Sequence, residues 1–132
     1  MVETALVLPI FFMIVLGVIE FGRAMMVAQL LTNGAREGAR LASMPNATNT
    51  DVEDAVLDFV ESAVGVPRDK VTVTITVTAA TGNPDPANNL ATTSRRDLCN
   101  VLVEVPFSDV DYIPGKYLQD RNLVGQCAMR RE

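Results

Sequence analysis

The chain has 132 residues, enough for one small domain, and carries 11 basic against 16 acidic side chains, for a net charge of −5. This acidic balance argues against a protein that binds nucleic acid, whose surface would need to be basic. The chain contains no histidine. It therefore lacks the usual acid-base group at neutral pH and the commonest metal ligand, which excludes most hydrolytic and zinc chemistries.

The N-terminal segment is strongly apolar and carries no charge from Thr4 to Ile19. As a helix this stretch would span about 24 Å, short of the roughly 30 Å hydrocarbon core of a bilayer. A helix-compatible sequence runs on to about Ser43, which makes the span long enough. A secretory signal peptide is the rival interpretation, but no basic residue precedes the run and no small-residue cleavage box ends it. We therefore expect residues 1–43 to form a retained helix that anchors the protein in a membrane.

Four residues of this helix have chemistry of their own. Glu20 and Arg23 lie three positions apart, so they can pair on one helical face near the membrane boundary. Pro9 lacks a backbone donor and predicts a modest bend. Glu3 has two interpretations. It is a helix-start carboxylate favoured by the dipole, or it contacts a positive group such as another subunit's N-terminal amine, because an unpaired charge in lipid is expensive.

Gly34 and Gly38 form a small-residue spacing that lets another helix approach closely. Arg36, Glu37 and Arg40 lie in the same stretch, so this part of the helix is not deep in lipid. The spacing therefore predicts helix packing outside the bilayer.

Residues 44–51 are rich in Pro, Asn and Thr and predict the end of the long helix and a linker. Thr50 and Glu53 have the spacing of a capping box, and the apolar stripe that follows predicts a short amphipathic helix ending at Gly65. The acidic residues Asp51, Glu53 and Asp54 are those that the helix dipole favours in a first turn, so we do not assign them to calcium.

Three later segments predict strands. Residues Lys70–Ala79 alternate valine or isoleucine with threonine, and Leu98–Phe107 and Asn122–Arg130 also place apolar residues at every second position. The loop Thr81–Ser94 and the turn Asp111–Gly115 connect them. Residues 44–132 therefore predict an α+β domain, a small antiparallel sheet covered by one short helix.

The two cysteines, Cys99 and Cys127, both fall on predicted strands. An antiparallel pairing centred near residue 113 would place them opposite one another, which predicts a disulfide suited to a small exported domain. Two buried free thiols are the alternative. A redox pair is disfavoured because the chain has no CxxC spacing.

No catalytic or cofactor motif stands out in the sequence. It contains no Gly-rich phosphate loop, no paired catalytic carboxylates and no nucleophile with an adjacent base. We therefore expect a protein that is not an enzyme and that needs no cofactor or metal.

The opening of the chain resembles the TadE-like proteins, minor pilins or pseudopilins of the bacterial tight-adherence (Flp-type) pilus system. The resemblance is carried by the E-x-A-L-V-L-P run from Glu3 to Pro9, the G-x-x-E-F-G-R block from Gly17 to Arg23, and AREGARLA from Ala35 to Ala42. The tail from Cys127 to Glu132, CAMRRE, resembles the final strand of the family. The middle of the chain carries no such motif.

The resemblance implies a pilin-like fold and a prepilin whose short basic leader is cut by a prepilin peptidase. The hydrophobic helix would hold the protein in the inner membrane before assembly, with residues 44–132 in the periplasm or, in the pilus, at the cell surface. Glu3 would register the subunit against its neighbour's N-terminus, and Pro9 would lie in the filament core. The implied partners are other pilin subunits, the assembly machinery and membrane lipid.

The start of the sequence departs from this pattern, because Met1 lies two residues before Glu3 and no basic leader precedes it. We expect the leader to precede Met1 in a longer product. Arg23, Arg36 and Arg40 all follow the apolar run. If no basic leader preceded that run, the positive-inside tendency would leave the C-terminal domain in the cytoplasm. The alternative function is a membrane-anchored extracytoplasmic binding module unrelated to pilus assembly.

Overall fold

The computed structural model describes the backbone of residues 2–110, 118 and 120–132, and within that set the side chains from Thr4 onward. Two helices precede three strands, and this order confirms the α+β class. The elements are α1 (Val2–Ala42), α2 (Asn49–Val64), β1 (Thr72–Thr78), β2 (Leu98–Pro106) and β3 (Asn122–Arg130), with short 3-10 turns at Arg68–Lys70, Leu90–Thr92 and Phe107–Asp109. The predicted turn at 111–115 lies outside the described residues.

The strands form an antiparallel sheet in the order β1-β2-β3. The period-two alternation predicted for the central strand is confirmed, because Cys99, Val101, Val103 and Val105 are all fully buried. The threonines of β1 lie on the opposite face and are exposed. One face of the sheet is therefore built as core and the other as surface.

Both helices contribute to the core on one side of the sheet, and α1 runs antiparallel to β2. At one end, Nε of Arg23 donates to the carbonyl of Val110 at 3.3 Å. At the other end, the thiol of Cys99 donates to the carbonyl of Ala42, the last residue of α1, at 3.8 Å. We call this second end, where the strands reach Thr78, Leu98 and Arg130, the distal end.

The strand β3 approaches the backbone of α1 closely at Gly125. A Cβ atom built on this glycine would overlap the backbone of Leu31 and Thr32 in α1. Only a residue without a side chain allows the strand to lie directly on the helix backbone at this point.

The N-terminus of α2 differs from the prediction. The N-cap is Thr48, whose hydroxyl accepts from the amide of Asp51 at 3.2 Å while the Asp51 carboxylate accepts from the Thr48 amide at 3.3 Å. The capping box therefore joins Thr48 and Asp51, and its assignment to Thr50 and Glu53 was wrong by two residues. The C-cap is Gly65, as predicted, with a left-handed φ of 79°.

Candidate functional site

The first half of α1 exposes an unbroken apolar surface. The exposed large apolar residues between Leu6 and Met26 each have 44% to 68% of their surface accessible to solvent. Among the described residues, one helix is long and apolar enough to cross a membrane, the segment Thr4–Ala42. Its most apolar 18-residue stretch has a mean hydropathy of 2.4, and 6% of that stretch is buried. The assignment rests on the length and the composition of the helix. An apolar surface of this size requires a cover, either lipid or protein.

The second half of the same helix belongs to the globular core. Six residues spaced three or four apart are buried: Ala24, Val27, Leu31, Ala35, Ala39 and Ala42. This spacing forms one face of a helix, and that face packs on β2, β3 and α2. One continuous helix therefore has two environments, and the change occurs around residues 20–24.

Glu20 and Arg23 lie at this change of environment. Glu20 is only 9% exposed, and its Oε1 has no hydrogen-bond partner within the part of the chain that the structure describes. Arg23 is half-buried and reaches the backbone carbonyl of Val110. The two side chains predicted at the membrane boundary therefore occupy the junction between the exposed and the buried half of α1.

The other residues predicted on the apolar half are placed only in part. Pro9 lies inside α1, and the helix continues through it with exposed neighbours Leu8 and Ile10. Glu3 is within the helix, but its side chain lies outside the described set.

Gly34 and Gly38 face α2 of the same chain. A Cβ on Gly34 would lie 3.0 Å from Cδ1 of Phe59, and one on Gly38 would lie 3.3 Å from Cγ1 of Val101 and closer still to Val56. The structure thus brings α2 onto the small-residue stripe of α1, outside the exposed apolar half.

The predicted disulfide is wrong, because Cys99 and Cys127 are both free. In the observed register Cys99 lies opposite Met129, and Cys127 lies opposite Val101. The pairing is therefore centred on residue 114 rather than 113, since 99 and 129 sum to twice 114. The two cysteines share a face but are offset diagonally, at about the 7 Å Cα separation beyond which a disulfide does not form.

Asp97 is a buried hydrogen-bond acceptor that the sequence pattern did not reveal. This fully buried carboxylate accepts from the amides of Ala80 and Ser94, each at 2.8 Å, and from Nδ2 of Asn83 at 2.7 Å. The bond from the Ala80 amide is the largest of several effects that lower the pKa of Asp97 below its ordinary value. The only available signal was an acidic residue directly before a strand of alternating apolar residues.

The acidic residues of α2 do not form a metal site. Arg68 lies among them, pairing with Asp58, with Glu61 at 3.3 Å and with Asp54 at 3.6 Å. Within the described residues no group of three or more ligands could hold a metal ion. This part of α2 is a solvated face whose charge Arg68 partly neutralises.

Comparison with known proteins adds one match. The TadE-like protein family matches residues 1–40. No curated protein and no solved structure matches the chain. The matched residues are the exposed apolar half of α1 and most of its buried half, and they contain the first two motifs of the resemblance in full and the third up to residue 40. The resemblance is therefore confirmed over this helix, and the first 40 residues of the chain are similar to TadE-like proteins.

Proposed function

We propose that the protein is a structural, non-enzymatic minor pilin or pseudopilin of a Tad-type pilus that contributes to pilus assembly and surface adhesion. The observation that carries the proposal is the division of α1 into an exposed apolar half and a half built into the core. The TadE-like match over residues 1–40 supports it.

The exposed half of α1 suits a subunit that moves from a membrane into a filament. Burying one large apolar side chain is worth about 1.5–3 kcal/mol, so the many exposed side chains between Leu6 and Met26 strongly favour a covered state. Lipid tails and neighbouring apolar helices are similarly apolar covers. The helix can therefore exchange one for the other without a large hydrophobic penalty.

The buried half of α1 suits the same role because it joins the apolar half rigidly to the sheet. The helix is continuous from Val2 to Ala42, and Gly125 and Gly38 allow it to pack directly against β3 and α2. A displacement of the apolar half would therefore carry the whole α+β region with it.

The proposal extends to location and partners. Residues 1–43 would anchor the protein in the inner membrane and later pack with other pilin subunits, while residues 44–132 lie in the periplasm or on the cell surface. The assembly machinery and a prepilin peptidase acting upstream of Glu3 would be further partners. The Glu3 carboxylate would pair with a neighbouring subunit's N-terminal amine, because opposite charges in an apolar medium are more stable together than apart.

The test is Glu3→Ala in the full chain, with Glu53→Ala on the exposed surface of α2 as the matched control. We expect Glu3→Ala to abolish piliation, counted by electron microscopy, while the protein remains in the membrane fraction. Glu53→Ala should piliate normally. Normal piliation by Glu3→Ala would contradict the proposed role of Glu3 in assembly.

Processing is tested by the mass and N-terminal sequence of the protein recovered from cell envelopes. A mature chain that begins a few residues upstream of Glu3, after loss of a basic leader, supports the prepilin route. A mature chain that begins uncut at Met1 contradicts it.

The second candidate is a membrane-anchored binding module, which a polar cavity of about 410 Å³ at the distal end favours. In that case α1 needs only to be apolar. Replacing residues 4–19 by an unrelated apolar sequence of the same length would preserve the function of an anchor but abolish that of an assembly helix.

A further inference from the structure

The distal end of the sheet contains a polar pocket, which we call the distal pocket. Its volume is about 410 Å³, within the usual range for sites that bind small molecules. The side chains that matter for its chemistry are Thr78, Thr81, Asn83, Arg96, Leu98 and Arg130. The pocket lies at the end of the molecule remote from the exposed half of α1, so a membrane around that half leaves it open.

The pocket is basic although the chain as a whole is acidic. Arg96 and Arg130 are both exposed, and within the described residues neither guanidinium makes a hydrogen bond or an ion pair. Asp97 accepts from Ala80 and Asn83 of the pocket lining, but it is buried and does not itself line the pocket. Glu132 lines a neighbouring cavity to which Arg130 also contributes. Two guanidinium groups are thus available to an incoming anion.

Arg96 is held in an unfavourable backbone conformation. Its φ is 73°, in the left-handed region that side-chain-bearing residues rarely adopt. The Arg96 amide donates to the carbonyl of Arg131 at 2.8 Å, and the Arg131 amide donates to the carbonyl of Asp97 at 3.0 Å. Strain that flanking bonds maintain is typical of positions where a side chain must point in one direction for function.

Asp97 links the two loops that line the pocket. Its carboxylate joins the loop after β1, through Ala80 and Asn83, to the loop before β2, through Ser94. Nδ2 of Asn83 also donates to the carbonyl of Arg95 at 2.9 Å, so its amide nitrogen is fully used and its Oδ1 remains as an acceptor. The two loops are therefore preorganised, and the ordering on ligand binding is confined mainly to the two exposed arginine side chains.

The groups in the pocket indicate the chemistry of the ligand. Guanidinium groups bind carboxylates through paired N–H donors. The hydroxyls of Thr78 and Thr81 and the Oδ1 of Asn83 can exchange hydrogen bonds with ligand hydroxyls. Leu98 adds an apolar wall against which the C–H face of a sugar ring can lie. We propose that the distal pocket binds a carboxylated sugar, such as a uronic acid unit of an acidic polysaccharide.

This inference goes beyond the proposed pilin role and does not rest on it, because the pocket is remote from the assembly helix. The test is calorimetric titration of the full chain in a polyoxyethylene detergent, which carries neither charge nor sugar. The ligands are a tetramer of galacturonic acid, its uncharged methyl ester, and inorganic phosphate.

The binding variant is Arg96→Gln with Arg130→Gln. Its matched control is Arg36→Gln with Arg121→Gln, which removes the same charge at two exposed sites away from the pocket. We expect the galacturonate tetramer to bind and its methyl ester to bind at least tenfold more weakly. The binding variant should lose at least tenfold in affinity with an unchanged melting temperature, and the control should bind as the wild type does.

Three results would overturn the proposal. One is equal affinity for the acid and its methyl ester. Another is equal loss of affinity in the binding variant and the control, which would show that only net charge matters. The third is binding of inorganic phosphate without binding of the galacturonate tetramer, because the pocket would then recognise an anion and not a carboxylated sugar.

Discussion

Gly125 is a residue at which the sheet lies directly against the backbone of α1. An added Cβ would overlap main-chain atoms of Leu31 and Thr32. Main-chain atoms in the middle of a helix cannot move aside as the tip of a flexible side chain can. The glycine is therefore required by a close approach of two backbones.

We predict that Gly125→Ala destabilises the protein by about 3 kcal/mol or more, since overpacking against an immobile backbone lies at the high end of such effects. Gly22→Ala is the control, because a Cβ at Gly22 meets nothing within 4 Å. That change should be neutral or stabilise the helix by about 0.5–1 kcal/mol. Chemical denaturation of both variants measures the difference, and equal stabilities would contradict the packing described here.

Asp97 makes the stability depend on pH in a direction that its hydrogen bonds determine. The pKa of Asp97 is lower in the folded protein than its ordinary value of 3.8, first because the Ala80 amide donates to the carboxylate. The ionised form therefore stabilises the fold. This stabilisation is complete above pH values near 3.8 and is lost as the pH falls through the lowered pKa.

We predict that Asp97→Asn lowers the free energy of unfolding at neutral pH by about 1–3 kcal/mol, because buried donors lose their charged acceptor. The variant should also lose less stability than the wild type below pH 4. Asp69→Asn, at an exposed site, is the control for general loss of charge. Parallel acid profiles for wild type and Asp97→Asn would contradict the assignment.

Cys99 and Cys127 differ in exposure although both are free. Cys99 is fully buried, and its burial raises the pKa of the thiol above its ordinary value, which keeps it protonated at neutral pH. Cys127 is partly exposed. We predict that iodoacetamide adds two groups to the unfolded, unreduced chain, whereas the native protein reacts first at Cys127. Mass spectrometry reports both. If the unfolded chain accepted no iodoacetamide group without a reductant, the two cysteines would be joined by a disulfide, contrary to this prediction.

At the scale of the element, α2 shows why helix ends are hard to read from sequence. Thr48 with Asp51 and Thr50 with Glu53 have the same spacing of hydroxyl and carboxylate. The backbone chooses between them, because Thr48 is extended, with φ −106° and ψ 158°, while Thr50 is already helical. A side chain caps a helix only from a non-helical position.

We predict that Thr48→Ala lowers the free energy of unfolding by about 1 kcal/mol, the usual cost of losing a cap. Thr50→Ala lies inside the helix and should be neutral within about 0.5 kcal/mol. Urea denaturation compares the two variants. A larger loss of unfolding free energy for Thr50→Ala than for Thr48→Ala would show that Thr50 is the N-cap, as the sequence predicted.

At the scale of the whole molecule, the boundary that matters for stability lies inside α1. The buried face from Ala24 to Ala42 covers β2 and β3, so α1 is one layer of the core as well as an apolar extension. A cut at the end of the helix would remove Val27 and Leu31, each worth about 1.5–3 kcal/mol of burial, a large part of a typical net stability of about 5–15 kcal/mol.

We predict that a chain beginning at Ala24 folds and no longer partitions into membranes. A chain beginning at Ser43 should fail to fold. Circular dichroism and cooperative thermal unfolding distinguish the two. Cooperative unfolding of the chain that begins at Ser43 would show that α1 is only an appendage.

The sequence alone determined the kind of each element. The alternation in β1, β2 and β3 and the long apolar run of α1 are local patterns, and each predicts its element without knowledge of what packs against it. The TadE-like motifs in α1 can also be recognised from the sequence alone, since each is contiguous in the chain. The two halves of α1 differ in composition, but only the structure assigned the second half to the core, because a buried face needs a partner surface.

Strand register and the distal pocket were decided only by the tertiary structure. A period of two is unchanged when a strand slides by two residues, so pairings centred on 113 and 114 bury the same faces but change every cross-strand partner, including whether Cys99 meets Cys127 or Met129. In the observed register Gly125 lies against the backbone of α1, where a Cβ atom would overlap Leu31 and Thr32. Arg96 and Arg130 are 34 positions apart in sequence, and they share a pocket only because β2 and β3 pair in this register.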